Sequence, residues 1–157
     1  MRILVISDSH GRSREIEKAI EAQPEAKHIF FLGDCVRDIE DLVYCYPERN
    51  FHIVEGNCDG YTMYKTVDAE NLFCKRIVYT HGHSLGVKGG KARLYTLAKE
   101  QRADIVLFGH THVAEAEYCD GTYFVNPGSL CSGRCGFTSY AVIDIVEGGI
   151  MPLIVKT

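Results

Sequence analysis

No stretch of the 157 residues approaches the roughly 18 consecutive apolar residues a membrane-spanning helix needs, so no membrane crossing is expected. The opening MRILVISDS is too short for the apolar core of a secretory signal and turns polar at once. Basic residues are not in excess. Lys and Arg total 17 against 21 Asp and Glu, a formal net charge of −4. That balance gives no broad attraction for nucleic acid or an anionic membrane, and an anionic substrate would need a local cation. C-x-x-C pairs are also missing. The seven cysteines (Cys35, Cys45, Cys58, Cys74, Cys119, Cys131 and Cys135) are an odd number without a signal sequence. Free thiols in a reducing, cytoplasmic setting fit this better than a disulfide framework.

What is present is ordinary globular composition, with 46% hydrophobic and 24% charged residues. A chain of this length forms one domain, spanning 1–157, that buries roughly 70% of the surface its unfolded form exposes. Short β-branched runs alternate with helical patterns: a strand over 2–6, a helix over 13–22 capped by Ser13, a strand over 29–32, a helix over 39–46 and a strand over 51–54. Such alternation implies parallel pairing. Beyond Tyr61 the pattern predicts a hairpin of 62–67 and 72–80 turning at 68–71, a helix over 88–102 and a strand over 105–108. Short antiparallel strands follow to the C-terminus, separated by DG and GG turns. The expected architecture is a mixed α/β protein with two sheets face to face and helices outside.

The polar residues fall where the strands end. RILVI is followed by Asp8 and His10, IFFL by Asp34, FHIV by Asn57, Cys58 and Asp59, RIVY by His81 and His83, and IVLF by His110 and His112. A single such cluster is an ordinary turn far more often than a ligand. Their succession, nearly always beside a glycine, argues for convergence on one edge, as loops at the carboxyl ends of parallel strands do. Four imidazoles, two carboxylates and one carboxamide, without paired thiolates, suit borderline to hard divalent ions. Seven ligands are too many for one catalytic ion and suit two neighbouring ions, an arrangement that serves displacement at phosphorus.

In this order, D-x-H, G-D, G-N-x-D, H-G-H and G-H-x-H, the chain resembles the calcineurin-like metallophosphoesterases, and most closely their small single-domain bacterial and archaeal phosphodiesterases. The resemblance implies a four-layer α-β-β-α sandwich with two metals at one edge. It also implies that Asp8, His10 and His112 hold one ion, Asn57, His81 and His110 the other, and Asp34 both. Manganese is the expected ion, with Ni, Zn, Fe, Co or Mg as alternatives. The implied reaction is hydrolysis of a small phosphodiester by direct attack of a hydroxide bridging the two ions, with Asp34, Asn57 and Cys58 as the catalytic residues. Self-association is common in that branch, so a homo-oligomer is compatible.

Cys58 departs from the pattern, since many relatives carry histidine there as a proton donor. A thiol with a pKa near 8.5 donates poorly, which favours good leaving groups and leaves the general acid open. Asp59 then reads as a loop-stabilising acceptor. His83 reads as a hydrogen-bonding partner of a ligand or as a substrate contact, and His28 and His52 as structural. Arg12 and Arg37 are either phosphate contacts or solubilising charges, and Asn126 with Gly128 reads as a turn. Two alternatives to the phosphodiesterase stay in view: a phosphomonoesterase or nucleotidase, and a protein-binding scaffold like a retromer subunit with little activity.

Overall fold

The computed structural model describes residues 1–157. In chain order it comprises β1 (Arg2–Ile6), α1 (Ser13–Glu21), β2 (Ala26–Phe31), α2 (Arg37–Cys45), β3 (Asn50–Ile53), β4 (Val67–Leu72), β5 (Lys75–Thr80), α3 (Ala92–Gln101), β6 (Ile105–Phe108), β7 (Glu115–Cys119), β8 (Thr122–Asn126), β9 (Ser139–Val146) and β10 (Gly149–Lys156). Single 3₁₀ turns at His83–Leu85 and Val87–Gly89 precede α3. No helix is long and apolar enough to cross a membrane.

The strands form two five-stranded sheets, ordered β10-β9-β1-β2-β3 and β4-β5-β6-β8-β7. In the first, β1, β2 and β3 run parallel and β9–β10 is an antiparallel flank. In the second, β5, β6 and β8 run parallel, with β4 and β7 antiparallel at the edges.

Strand alternation sorts the side chains into layers. Ile3 and Val5 of β1, Phe30 of β2, Ile77 and Tyr79 of β5, and Ile105 and Leu107 of β6 meet in one core between the sheets. Their neighbours point the other way. Leu4, Ile6, Ile29 and Phe31 pack under Ile16 and Ile20 of α1 and Ile39 and Leu42 of α2. Val78, Val106 and Phe108 pack under Leu94 and Ala98 of α3. The result is the four-layer α-β-β-α sandwich. It explains why central strands such as IVLF are apolar at every position, since both faces are covered. Each fully buried Ile, Leu or Phe contributes about 2 kcal/mol by removal from water.

Several local expectations need correction. The hairpin turns at Phe73 and Cys74, both with positive φ (53° and 58°), so β4 occupies the segment read as its turn. The polarity of Asp68, Glu70 and Asn71 resembled a loop because β4 is an edge strand. β8 runs parallel to β6, whereas the short segment predicted an antiparallel partner; the returning strand β7 is inserted between them in sequence but lies outside them in the sheet. Ser13 is the first helical residue of α1, and Arg12 precedes it without a side-chain cap. α3 starts only at Ala92, because Gly86 and Gly90 adopt positive φ and break the preceding turns.

Candidate metal centre

The carboxyl ends of β1, β2 and β3 in one sheet and β5, β6 and β8 in the other lie at a common edge of the sandwich. Convergence therefore comes from two sheets, not one open sheet. Backbone bonds knit the loops together, from Asp8 N–H to the Gly33 carbonyl (3.1 Å) and from Gly109 N–H to the His81 carbonyl (3.1 Å). The glycines serve this approach directly. A Cβ on Gly33 would lie 2.4 Å from the Gly56 nitrogen, one on Gly56 2.2 Å from Asp34 Oδ1, and one on Gly109 2.0 Å from Ser7 Oγ. The space they leave is occupied by neighbouring loops.

Two groups of ligating atoms form at this edge. Asp8, His10, Asp34 and His112 make one, and Asp34, His81 and His110 the other; within each, the atoms lie within 4.8 Å of one another. In the first, His112 Nε2 is 3.1 Å from Asp8 Oδ1, His10 Nε2 is 3.4 Å from His112 Nε2, and Asp34 Oδ2 is 3.7 Å from His10 Nε2. In the second, His81 Nε2 is 3.1 Å from His110 Nδ1, 3.2 Å from Asn57 Oδ1 and 3.4 Å from Asp34 Oδ1. Asp34 thus turns one carboxylate oxygen to each group. All seven sequence-predicted ligand positions are brought together.

The residues fit divalent ions on three counts. Donors held about 2.1 Å from a shared ion stand about 3 Å apart across a coordination edge, close to the separations here. The rings are oriented from behind: His81 Nδ1 pairs with the Leu32 carbonyl (2.7 Å) and His112 Nδ1 with the Ser132 carbonyl (2.9 Å). With Nδ1 as donor, each Nε2 presents a lone pair to the site. Finally, Asp8 Oδ1 is buried and has no hydrogen-bond donor despite its proximity to His112, an orphan that a cation would satisfy.

Charge follows the same pattern. Burial pushes the Asp8 carboxyl upward, but His112, His81 and Ser7 outweigh it and hold the group below the usual range. His112 is raised by its contact with Asp8. Burial, His81 and Lys88 bring His110 down to about 4, so its ring is neutral and ready to coordinate near pH 7. Burial and the Asp34 carboxylate push the exposed Cys58 thiol up to about 11. Cys58 is tied in at two points, its N–H donating to Asp34 Oδ1 (2.9 Å) and its sulfur accepting from Asn57 Nδ2 (3.4 Å).

Asp59 accepts from the N–H groups of Asp34, Cys35, Val36 and Gly56 at 2.7–2.9 Å, a loop brace away from the ligating atoms. His83 hydrogen-bonds no candidate ligand; its ring stands 5.3 Å from that of His81 and its buried Nδ1 has no partner. Burial and His81 lower its pKa. His28 and His52 pair at 3.0 Å on β2 and β3, where His52 stacks on Phe30. Arg12 and Arg37 are both exposed. Asn126 does more than close a turn: its amide donates to the Gly109 carbonyl and Thr111 Oγ1, both at 3.0 Å, bracing the GHTH loop.

Sequence reasoning missed three supporting residues. Ser129 Oγ donates to the Asp8 carbonyl (2.8 Å), and Ser7 Oγ donates to Asp8 Oδ2 (2.5 Å). Asp38 accepts from Ser9 Oγ (2.6 Å) and Gly11 N–H (2.7 Å), fixing the loop that carries His10. NPGS and SDS offered only a weak signal, a serine beside a strand end.

Known proteins are similar to this chain in sequence and fold. Residues 1–148 match the model of the calcineurin-like phosphoesterase superfamily domain. The chain is 33% identical to the probable metallophosphoesterase YsnB of Bacillus subtilis, covering 92% of this chain and 85% of that one. It is 27% identical to the phosphodiesterase MJ0936 of Methanocaldococcus jannaschii, covering 92% and 93%. It is 48% identical to vacuolar protein sorting-associated protein 29 of Schizosaccharomyces pombe over 82% and 72%. The crystal structure of a predicted phosphoesterase from Streptococcus pneumoniae superposes with a TM-score of 0.80 at 26% identity, covering 98% and 97%. Ordered motifs, converging ligand atoms and a match over nearly the whole chain lead to one assignment: the chain belongs to the calcineurin-like phosphoesterase superfamily.

Proposed function

We propose that the protein is a metal-dependent phosphodiesterase that cleaves a small phosphodiester by direct attack of hydroxide, without a covalent enzyme intermediate. The observation that carries this reading is Asp34, whose two carboxylate oxygens face separate groups of ligating atoms. Asp8, His10, Asp34 and His112 would hold one divalent ion, and Asp34, Asn57, His81 and His110 the second, with manganese the favoured metal. When bound, two such ions supply positive charge to the phosphoryl oxygens and acidify water enough to provide hydroxide near neutral pH.

The chain's own residues then orient and shield. The Leu32 and Ser132 carbonyls hold the His81 and His112 rings with their lone pairs inward. The Cys58 N–H donates to Asp34 Oδ1 and the Asn57 amide to Cys58 Sγ, which holds the loop after β3 against the candidate centre. A thiol at about 11 is neutral near pH 7, so it is neither a nucleophile nor a strong acid there. That supports attack by water and favours leaving groups that depart without full protonation. The missing histidine tilts the choice from monoester to diester.

A second reading rests on one comparison, the 48% identity to a vacuolar protein sorting-associated protein. In it the same edge binds metal but turns over little, and the surface serves protein binding. The deciding experiment measures hydrolysis of bis(4-nitrophenyl) phosphate and 4-nitrophenyl phosphate by chelator-stripped protein, with and without Mn²⁺. Asp34→Asn and His81→Ala variants run beside the wild type. Metal-restored diester turnover in the wild type, reduced at least about 100-fold in both folded variants, is the expected result. Metal binding without turnover on either ester would transfer the assignment to the scaffold.

A further inference from the structure

Beside the candidate centre a second concavity opens, and nothing in the ligand set accounts for it. A cleft of about 390 Å³ lies between the start of α2 and the loop after β3, lined by Cys35, Arg37, Cys58, Gly60, Tyr61 and Thr62 among others. That volume is within the range of about 300–1,000 Å³ usual for small-molecule pockets. Cys58 lies at the boundary: its backbone N–H donates to Asp34 Oδ1, and the residue also lines the cleft.

Three features define what the cleft would take. Tyr61 is 99% exposed, so its ring has both faces free for stacking. The backbone under it is nevertheless fixed, by the Asp59 brace on one side and on the other by Thr62 Oγ1 donating to Glu55 Oε2 (2.5 Å). The two acids lining the cleft are engaged by backbone and serine donors. Arg37 makes no hydrogen bond or ion pair with the protein, so it is the free cation of the cleft. An exposed aromatic ring carried on a braced loop, beside an uncommitted guanidinium and next to a phosphoester site, matches a planar, hydrogen-bonding substituent.

We infer that this cleft is the leaving-group subsite, and that it takes the nucleoside of a nucleotide phosphodiester, with the base on Tyr61 and Arg37 orienting it. The inference rests on the proposed phosphodiesterase reading and names its substrate class. Tyr61 and Arg37 are specificity-determining residues that touch the substituent, not the phosphorus.

Binding separates this from activity. Adenosine 5′-monophosphate, ribose 5-phosphate and inorganic phosphate would be titrated calorimetrically into Mn²⁺-loaded wild type and the variants Tyr61→Ala, Tyr61→Phe, Arg37→Gln and Gly60→Leu. Gly60 offers a way to fill the cleft, since a Cβ there meets nothing within 4 Å and its φ is not left-handed. The wild type should bind the nucleotide about tenfold more tightly than ribose 5-phosphate, the scale of one base–aromatic stack. That preference should persist in Tyr61→Phe and collapse in Tyr61→Ala and Gly60→Leu, while inorganic phosphate binds all of them alike. Arg37→Gln should weaken the nucleotide alone. Equal binding of the two phosphate esters by a wild type that hydrolyses bis(4-nitrophenyl) phosphate would overturn the subsite and leave the phosphodiesterase standing. A preference that survives Tyr61→Ala would overturn it as well. A wild type without diester turnover would remove the function and the inference together.

Discussion

Asp8, His10, Asp34, His110 and His112 all hold positive φ, between 45° and 67°, although none is glycine. Left-handed backbone costs such residues on the order of 1–3 kcal/mol each, and Asp and His tolerate it better than most. The strain lies where side chains must turn inward from tight loops, and hydrogen bonds such as those of Ser7, Ser129 and Asp59 offset it. Asp59→Ala should therefore destabilise the fold by about 3 kcal/mol, because four backbone donors lose one charged acceptor. Urea denaturation measures this, and a loss below about 0.5 kcal/mol would show that water replaces the carboxylate. Cys58 offers a second check at this scale. With its pKa at about 11, its carbamidomethylation followed by peptide mass spectrometry should rise steeply only above about pH 10, later than that of a free cysteine peptide. A rate at pH 8 equal to that of the free peptide would contradict the influence of Asp34.

Among elements, the parallel strands do most to position the site, and their loops are short because glycine lets them touch. Gly109→Ala places a methyl 2.0 Å from Ser7 Oγ and 2.9 Å from Asp8 Oδ2. It should weaken metal binding at least about tenfold by displacing the His110 loop, a loss a calorimetric Mn²⁺ titration would register. Unchanged affinity would mean the loop shifts without moving its imidazoles. The β4–β5 hairpin makes the opposite prediction. Phe73 and Cys74 occupy a two-residue turn with both φ values positive, the conformation Asn-Gly prefers. Phe73→Asn with Cys74→Gly should raise stability by about 1 kcal/mol without touching the site, and thermal melting would show a higher midpoint.

For the whole molecule, the candidate ligands couple stability to metal and to pH. Chelation should lower the melting temperature in a concentration-dependent way, since metal present at 100 times its dissociation constant adds about 2.7 kcal/mol. A midpoint indifferent to chelator would count against native metal binding. In the metal-free protein, burial lowers the pKa of His28, His52, His83 and His110. The unfolded chain then takes up protons first, so their contribution is complete above about pH 6.5 and is lost as pH falls toward 4. His112 has the opposite sign: raised by Asp8, it stabilises fully below about pH 6.5 and loses that contribution as pH rises through its folded value. Metal-free stability should peak near pH 6–7, about where these contributions cross, and a monotonic rise to pH 9 in denaturant titrations would refute the balance.

The candidate ligands could be read from the chain because each lies just past an apolar strand, and most stand beside a glycine, features that are local. Cover on both faces was legible in IVLF, apolar at every position, but that a second sheet supplies the cover on one face followed from the family resemblance. Edge strands were harder: β4 carries Asp68, Glu70 and Asn71 because one of its sides meets solvent, so its polarity mimicked a turn. The parallel pairing of β8 with β6 was hidden because strand order is a property of the assembled sheet, not of either segment. Contacts across long separations were also invisible. Ser129 reaches Asp8 across 121 positions and Asn126 reaches Gly109 across 17, and nothing in a serine or asparagine names its distant partner. The sequence by itself determined which residues hold metal-type donors and how many strands present them. Only the tertiary structure decided that Asp34 divides its oxygens between two groups, that Asp59 is a brace, and that Tyr61 and Arg37 flank a cleft opening at Cys58. Chemistry is carried by residue type, which is local, whereas orientation and juxtaposition arise when the two sheets pack and their loops meet.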